Sequence, residues 1–118
     1  MRILIVDDLA RARQSMKALI STHPQVGALK EATNGREAID LTESWAPDAV
    51  LMDVCMAEMD GLQASRTIKA RWPNIKVIVL SMYGDYEAQA LEAGADAFVS
   101  KGEPPARLLQ ALDVVAGQ

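Results

Sequence analysis

Short apolar runs recur along this 118-residue chain, and a segment of helical periodicity follows each. Ile3-Leu4-Ile5-Val6, Ala49-Val50-Leu51-Met52 and Val77-Ile78-Val79-Leu80 are continuous. Ala97-Phe98-Val99 is shorter, and residues 26–32 form a weaker run, broken by Gly27 and expected at a sheet edge. A run of four apolar residues bounded by turn chemistry fits a strand buried on both faces. Between the runs, apolar residues return at helical spacing: Ala12, Met16, Leu19 and Ile20, then Ala38, Leu41 and Trp45. Leu62, Ser65, Ile68 or Lys69, and Trp72 follow, then Ala88 and Leu91, then Leu108, Leu112 and Val115. His23-Pro24, Pro47-Asp48 and Pro73-Asn74 stop helices, while Asn34-Gly35, Asp60-Gly61 and Pro104-Pro105 start them. Asp8 and Asp85 are expected as helix caps and Gly94 as a left-handed C-cap.

Strand then helix, five times over, predicts an α/β fold: a parallel five-stranded sheet with helices on both faces and right-handed crossovers. In the flavodoxin-like order 2-1-3-4-5, a three-layer (βα)5 fold, the first and third strands lie side by side at the topological switch point. Asp7 and Asp8 would then meet Asp53 there, and Ser81 and Lys101 would end the fourth and fifth strands on the same edge. Each of the five has a plainer reading alone: a cap for Asp7-Asp8, a turn residue for Asp53 or Ser81, a solvated charge for Lys101. Together those readings are poor, because four of the five strands end in a polar group suited to one chemistry.

Composition narrows the possibilities. Half the residues are hydrophobic, enough for one core, so residues 1–118 are read as a single domain without an output domain. A net charge of -4 leaves no basic nucleic-acid footprint. One cysteine excludes an internal disulfide and suits a reducing cytoplasm. The opening apolar run is too short for a secretory leader, and no run reaches the length of a membrane span.

Three carboxylates at one strand edge repel each other and call for a cation. Oxygen donors without a His or Cys cluster suggest Mg²⁺. One carboxylate can then attack phosphorus, as carboxylates do when they form aspartyl-phosphates. Lys101 can neutralise the transferred group, and Ser81 can donate to a phosphoryl oxygen.

With these residues in view, the whole chain resembles the CheY-like receiver domain of a two-component response regulator. The resemblance is carried by Asp7-Asp8, by Asp53 with Met56 and Met59-Asp60-Gly61, by Ser81, by the stretch 90–96, and by Lys101. The segment 101–109 is similar to the branch with a LuxR/NarL-type output. The resemblance implies a signalling phosphoacceptor, not a conventional enzyme, which assists its own phosphotransfer and dephosphorylation. Asp53 would accept phosphate from a sensor histidine kinase. Asp8, Asp53 and the Cys55 backbone carbonyl would bind Mg²⁺ directly, with Asp7 acting through a bound water. Ser81 and Phe98 would form the switch pair, although periodicity alone makes Phe98 a core residue. Cys55 and Tyr83 would flank the entrance and govern phosphoryl lifetime. The output implied is transcriptional, through a DNA-binding domain absent here; the alternative is a stand-alone receiver acting by protein–protein contact. Homodimerisation on phosphorylation is compatible with the family, and neither nucleic acid nor membrane is expected as a direct partner.

Three departures stand out: Ala57 and Gly102 occupy positions where the family often has proline, and Phe98 stands where tyrosine is usual. Competing readings fare worse. A flavin-binding relative needs a hydroxyl- and glycine-rich phosphate loop where this chain has Asp7-Asp8-Leu9-Ala10-Arg11. A haloacid-dehalogenase-like phosphatase needs a second Asp where Cys55 stands. A pseudo-receiver would lack one of the five polar residues, and none is missing. Cys55 as a redox sensor is weaker than Cys55 as a small packing residue. Trp45 and Trp72 read as core edges. His23, the only histidine, leaves the phosphoryl donor to a partner.

Overall fold

The structure is a computed structural model describing residues 1–54, 60–82 and 84–117. In order it contains β1 (Arg2–Val6), α1 (Ala10–Ile20), β2 (Ala28–Ala32), α2 (Gly35–Trp45), β3 (Ala49–Asp53) and α3 (Gly61–Arg71). β4 (Lys76–Ser81), a 3₁₀ turn (Gly84–Tyr86) leading into α4 (Glu87–Glu92), β5 (Ala97–Ser100) and α5 (Pro105–Ala116) complete it. All strands pair in parallel, in the order β2-β1-β3-β4-β5, as the strand–helix alternation predicts.

The continuous apolar runs are buried on both faces because alternate residues serve different helix layers. Leu4, Val6, Val50, Met52, Val77, Val79 and Phe98 pack with Ala38, Ala64, Ile68 and Ala90 of α2, α3 and α4. Ile3, Ile5, Leu51, Ile78, Leu80 and Val99 pack with Ile20, Leu108, Leu112 and Val115 of α1 and α5. Each large aliphatic side chain so buried contributes about 1.5–3 kcal/mol relative to exposure. Trp45 and Trp72 are partly buried against the first cluster. Arg2 and Lys30 lie 5.6 and 5.3 Å from the centre of the Trp45 ring, cation–π contacts at the core's rim.

Local chemistry explains most helix ends. Asn34 accepts the Glu37 amide at 2.8 Å, and Asp60 accepts the Gln63 amide at 2.7 Å, so both are side-chain N-caps. Gly94 adopts φ 97° after α4, the left-handed residue expected there. β2 begins at Ala28, two residues later than the apolar run, and is an edge strand as expected.

Two cap expectations fail. At α1 the N-cap position belongs to Leu9, without a side-chain cap; the buried Asp7 carboxylate instead accepts the Leu9 amide at 3.0 Å. At α4, Asp85 is absorbed into the 3₁₀ turn and Tyr86 holds the cap position. The end of α2 is also unusual, since Ala46 takes φ 51° without being glycine. His23 Nε2 lies 2.6 Å from Asp113 Oδ1 while its Nδ1 accepts the Gln25 amide at 3.1 Å. Accepting at Nδ1 leaves the proton on Nε2, which donates to the carboxylate and ties the α1–β2 loop to α5.

Candidate functional site

Strand parity brings the polar residues together. Asp7, Asp53 and Lys101 continue the alternation of Ile5, Leu51 and Val99, so all three turn toward the α1/α5 layer at the carboxyl ends of their strands. Sheet hydrogen bonding carries past the regular ends: the Asp7 amide donates to the Ala32 carbonyl at 3.2 Å and the Lys101 amide to the Ser81 carbonyl at 2.7 Å. The Lys101 ammonium therefore reaches both acids, 2.9 Å from Asp7 Oδ2 and 2.9 Å from Asp53 Oδ1. Asp7 is fully buried, Asp53 is 7% exposed, and Asp8 is exposed at the mouth.

One carboxylate oxygen from each of Asp7, Asp8 and Asp53 lies within 4.8 Å of the others. Oxygens bound to one Mg²⁺-sized cation at about 2.1 Å in an octahedron stand roughly 3–4.2 Å apart. The donor set is thus close to the spacing a small hard cation needs. Its three negative charges exceed the single ammonium, so a divalent cation fits in charge as well as in ligand type.

The environment acts on the ionisable groups accordingly. Burial raises the Asp53 carboxyl above its ordinary range; Lys101 opposes the shift, while Asp7 and Asp8 add repulsion. Burial pulls the Lys101 ammonium down, but its bonds to Asp7 and Asp53 outweigh that and raise it overall. Lys101 stays charged, and burial works against the charge on Asp53.

Gly61 supports Asp53 from behind. A Cβ at this position would lie 1.8 Å from the Asp53 carbonyl oxygen, and the Gly61 amide donates to the Val54 carbonyl at 2.8 Å. The α3 backbone thus rests directly on the end of β3, an approach open only to glycine. Sequence reading sees Asp60-Gly61 as a turn and misses this contact.

The other expected residues divide. Ser81 is buried at the end of β4, where Leu80 pairs with Asp53. Phe98 is 8% exposed within the α2/α3/α4 core cluster, as periodicity predicts. Cys55, Met56, Ala57, Met59 and Tyr83 lie outside the described residues, and with them the Cys55 carbonyl and the entrance pair.

The family model described as the response regulator receiver domain matches residues 3–113. The chain belongs to this family. The resemblance read from Asp7-Asp8, Asp53, Ser81 and Lys101 is therefore sound, and the receiver domain is a signalling phosphoacceptor by family. It is 41% identical over 117 residues to the chemotaxis protein CheY of Thermotoga maritima, covering 98% of this chain and 97% of that one. A solved two-component response regulator of the LuxR family from Aurantimonas sp. SI85-9A1 is 32% identical with a TM-score of 0.92, covering 99% of this chain and 86% of that chain. The response regulator TrrA of Thermotoga maritima, solved in complex with Mg(2+)-BeF, is 27% identical with a TM-score of 0.89, covering 97% of each chain. The receiver spans about half the length of the curated transcriptional and nitrate/nitrite regulators it matches. Among the described residues, no helix is long and apolar enough to cross a membrane.

Proposed function

We propose that this receiver accepts a phosphoryl group on Asp53 from a sensor histidine kinase, and that the phosphorylated form regulates an output in the cytoplasm. The observation that carries the proposal is the meeting of three carboxylates with one ammonium placed 2.9 Å from two of them. Asp53 is the acceptor because it stands at the end of the central strand, where Lys101 and Gly61 fix both its carboxylate and its backbone. A carboxylate oxygen forms the new O–P bond as the phosphohistidine N–P bond breaks, and the nitrogen lone pair returns to the donor ring. Lys101 compensates charge on the transferred oxygens, and Ser81 donates to one of them.

The residues fit Mg²⁺. Asp8, Asp53 and the Cys55 carbonyl would hold it, with Asp7 acting through a water, and when bound it supplies positive charge to the phosphoryl oxygens. Asp7 retains its own task, holding Lys101 and the Leu9 amide. The complex of TrrA with Mg(2+)-BeF supports this reading. Phosphorylation then biases a two-state domain through Ser81 and Phe98.

The finer output is transcriptional, supported by similarity to a solved LuxR-family regulator and to curated transcriptional and nitrate/nitrite regulators about twice this length. The second reading is a receiver acting alone by protein contact, favoured by the near-complete coverage of CheY. Homodimerisation on phosphorylation belongs to the first reading; in both, the receiver itself makes no direct contact with nucleic acid or membrane, and residues 1–118 act as one receiver domain.

Intact-mass analysis after acetyl phosphate tests the site. One phosphate should appear with Mg²⁺, and none with excess chelator or in Asp53→Asn. Uptake that persists in either condition would remove Asp53 and its acidic neighbours from the mechanism.

A further inference from the structure

We infer that Arg13 is a positioning residue for the acidic pair, orienting Asp7 and Asp8 from behind through the peptide that joins them. The inference rests on the reading of Asp7, Asp8 and Asp53 as the cation and phosphoryl site. Arg13 is one of the charged residues off the apolar face of α1, and nothing in its spacing distinguishes it from Arg11 or Lys17. The structure does. Its Nη1 donates to the Asp7 carbonyl at 2.7 Å, and its Nε donates to Glu31 Oε1 at 3.0 Å. The side chain is only 14% exposed.

The Asp7 carbonyl belongs to the peptide between the two acids. Holding that peptide sets the directions in which both carboxylates leave the backbone. The same short loop is tied in two further places: the Leu9 amide donates to Asp7 Oδ1 at 3.0 Å, and the Arg13 amide donates to the Leu9 carbonyl at 3.1 Å. Of these three ties, the one to the Asp7 carbonyl is made by the Arg13 side chain, and the one to the Leu9 carbonyl is a main-chain bond of α1. Glu31 anchors the guanidinium in turn. Its carboxyl is lowered by the hydrogen bond from Lys17, against the effect of burial, and further by Arg13, so it stays anionic. A planar guanidinium serves two acceptors in fixed directions, which a lysine ammonium does not reproduce. A chain of contacts therefore runs from edge strand β2 through α1 to the loop that carries the acids.

Lys17 supplies the control. It binds Glu31 Oε2 at 3.1 Å and, among the described residues, makes no hydrogen bond to Asp7. If Arg13 acted only as a clamp between α1 and β2, removing Lys17 would have a similar effect. As a positioning residue, Arg13 affects cation affinity and the loop amides, whereas Lys17 does not.

The test is Mn²⁺ binding by calorimetry on the whole chain, with amide NMR of Leu9 as a reporter of the Asp7 carboxylate. Arg13→Ala is expected to weaken Mn²⁺ by about tenfold and to move the Leu9 amide, while Lys17→Ala stays within about twofold of the unmodified protein. Arg13→Lys, which keeps the charge and most of the stem, is expected to fall short of full affinity. It supplies the same readout if the alanine variant does not fold. Unchanged affinity in the Arg13 variant that folds, or equal losses in the Arg13 and Lys17 variants, overturns the positioning role. Failure of the unmodified protein to bind Mn²⁺ would instead strike the acidic site itself, so the two readings fail separately.

Discussion

Replacing Asp53 with Asn is expected to stabilise the protein at neutral pH when no divalent cation is present. Asp53 is 7% exposed, 2.9 Å from the Lys101 ammonium, and within 4.8 Å of carboxylate oxygens on Asp7 and Asp8. At an effective dielectric of about 20, the attraction at 2.9 Å amounts to about 6 kcal/mol and a repulsion at 4.8 Å to about 3.5 kcal/mol. One attraction and two repulsions nearly cancel, so burial decides the sign, and an ion held out of water costs several kcal/mol. Asn keeps the shape and an oxygen for Lys101 without the charge. Allowing for partial solvation, a net gain of about 1–2 kcal/mol is expected, or about 5 °C in Tm for a domain of this size. The raised Asp53 carboxyl sets the pH dependence. Below about pH 3.9 the side chain is protonated folded or unfolded, and its ionisation costs nothing. As pH rises toward the folded-state value the cost grows, then levels off. Urea unfolding of both proteins in chelator from pH 3.5 to 8 should show the advantage of Asp53→Asn opening over that window. Adding Mg²⁺ should narrow it by stabilising the unmodified protein. An Asp53→Asn variant that is less stable at pH 7, or equally advantaged at pH 3.5 and pH 7, would refute the reasoning.

Gly61→Ala places a Cβ 1.8 Å from the Asp53 carbonyl oxygen, so β3 or α3 must shift. A loss of about 2–3 kcal/mol in urea unfolding is expected, and a loss below about 0.5 kcal/mol, the range of neutral surface changes, would show that the contact yields freely. Among the described residues, the buried Ser65 hydroxyl finds no hydrogen-bond partner. Ser65→Ala should be neutral or stabilising by up to about 1 kcal/mol, and clear destabilisation would mean that the hydroxyl is satisfied in solution. On the proposed entrance reading the phosphoform is expected to be long-lived, because a thiol at position 55 orients water poorly and a tyrosine at position 83 is bulky enough to cover a phosphoryl group. Loss of phosphate should be about tenfold faster in a Cys55→Asn/Tyr83→Glu double variant, about 1.4 kcal/mol in barrier. An unchanged decay rate would remove these positions from control of the water.

The fold was legible because it is written in local patterns. Four-residue apolar runs, helical periodicity and turn residues such as Asn34-Gly35 and Asp60-Gly61 are properties of neighbours along the chain. The same patterns placed Asp7, Asp53, Ser81 and Lys101 at strand ends, and the shared edge followed from the strand order. Periodicity also identified Phe98 as core. The tertiary structure alone decided which groups meet. That Lys101 lies between Asp7 and Asp53 depends on strand parity and on extension of the ladders past their regular ends. That Asp7 meets Lys101, 94 residues away, follows from its burial beneath the sheet edge. Arg13 differs from Arg11 only because its position on α1 brings it to Glu31 and the Asp7 carbonyl. Gly61 is constrained by a backbone atom eight residues earlier in the chain, which no turn preference records. Periodicity assigns a residue to a face, whereas a charge or a hydrogen bond depends on distances of a few ångströms set by how strands register and helices dock.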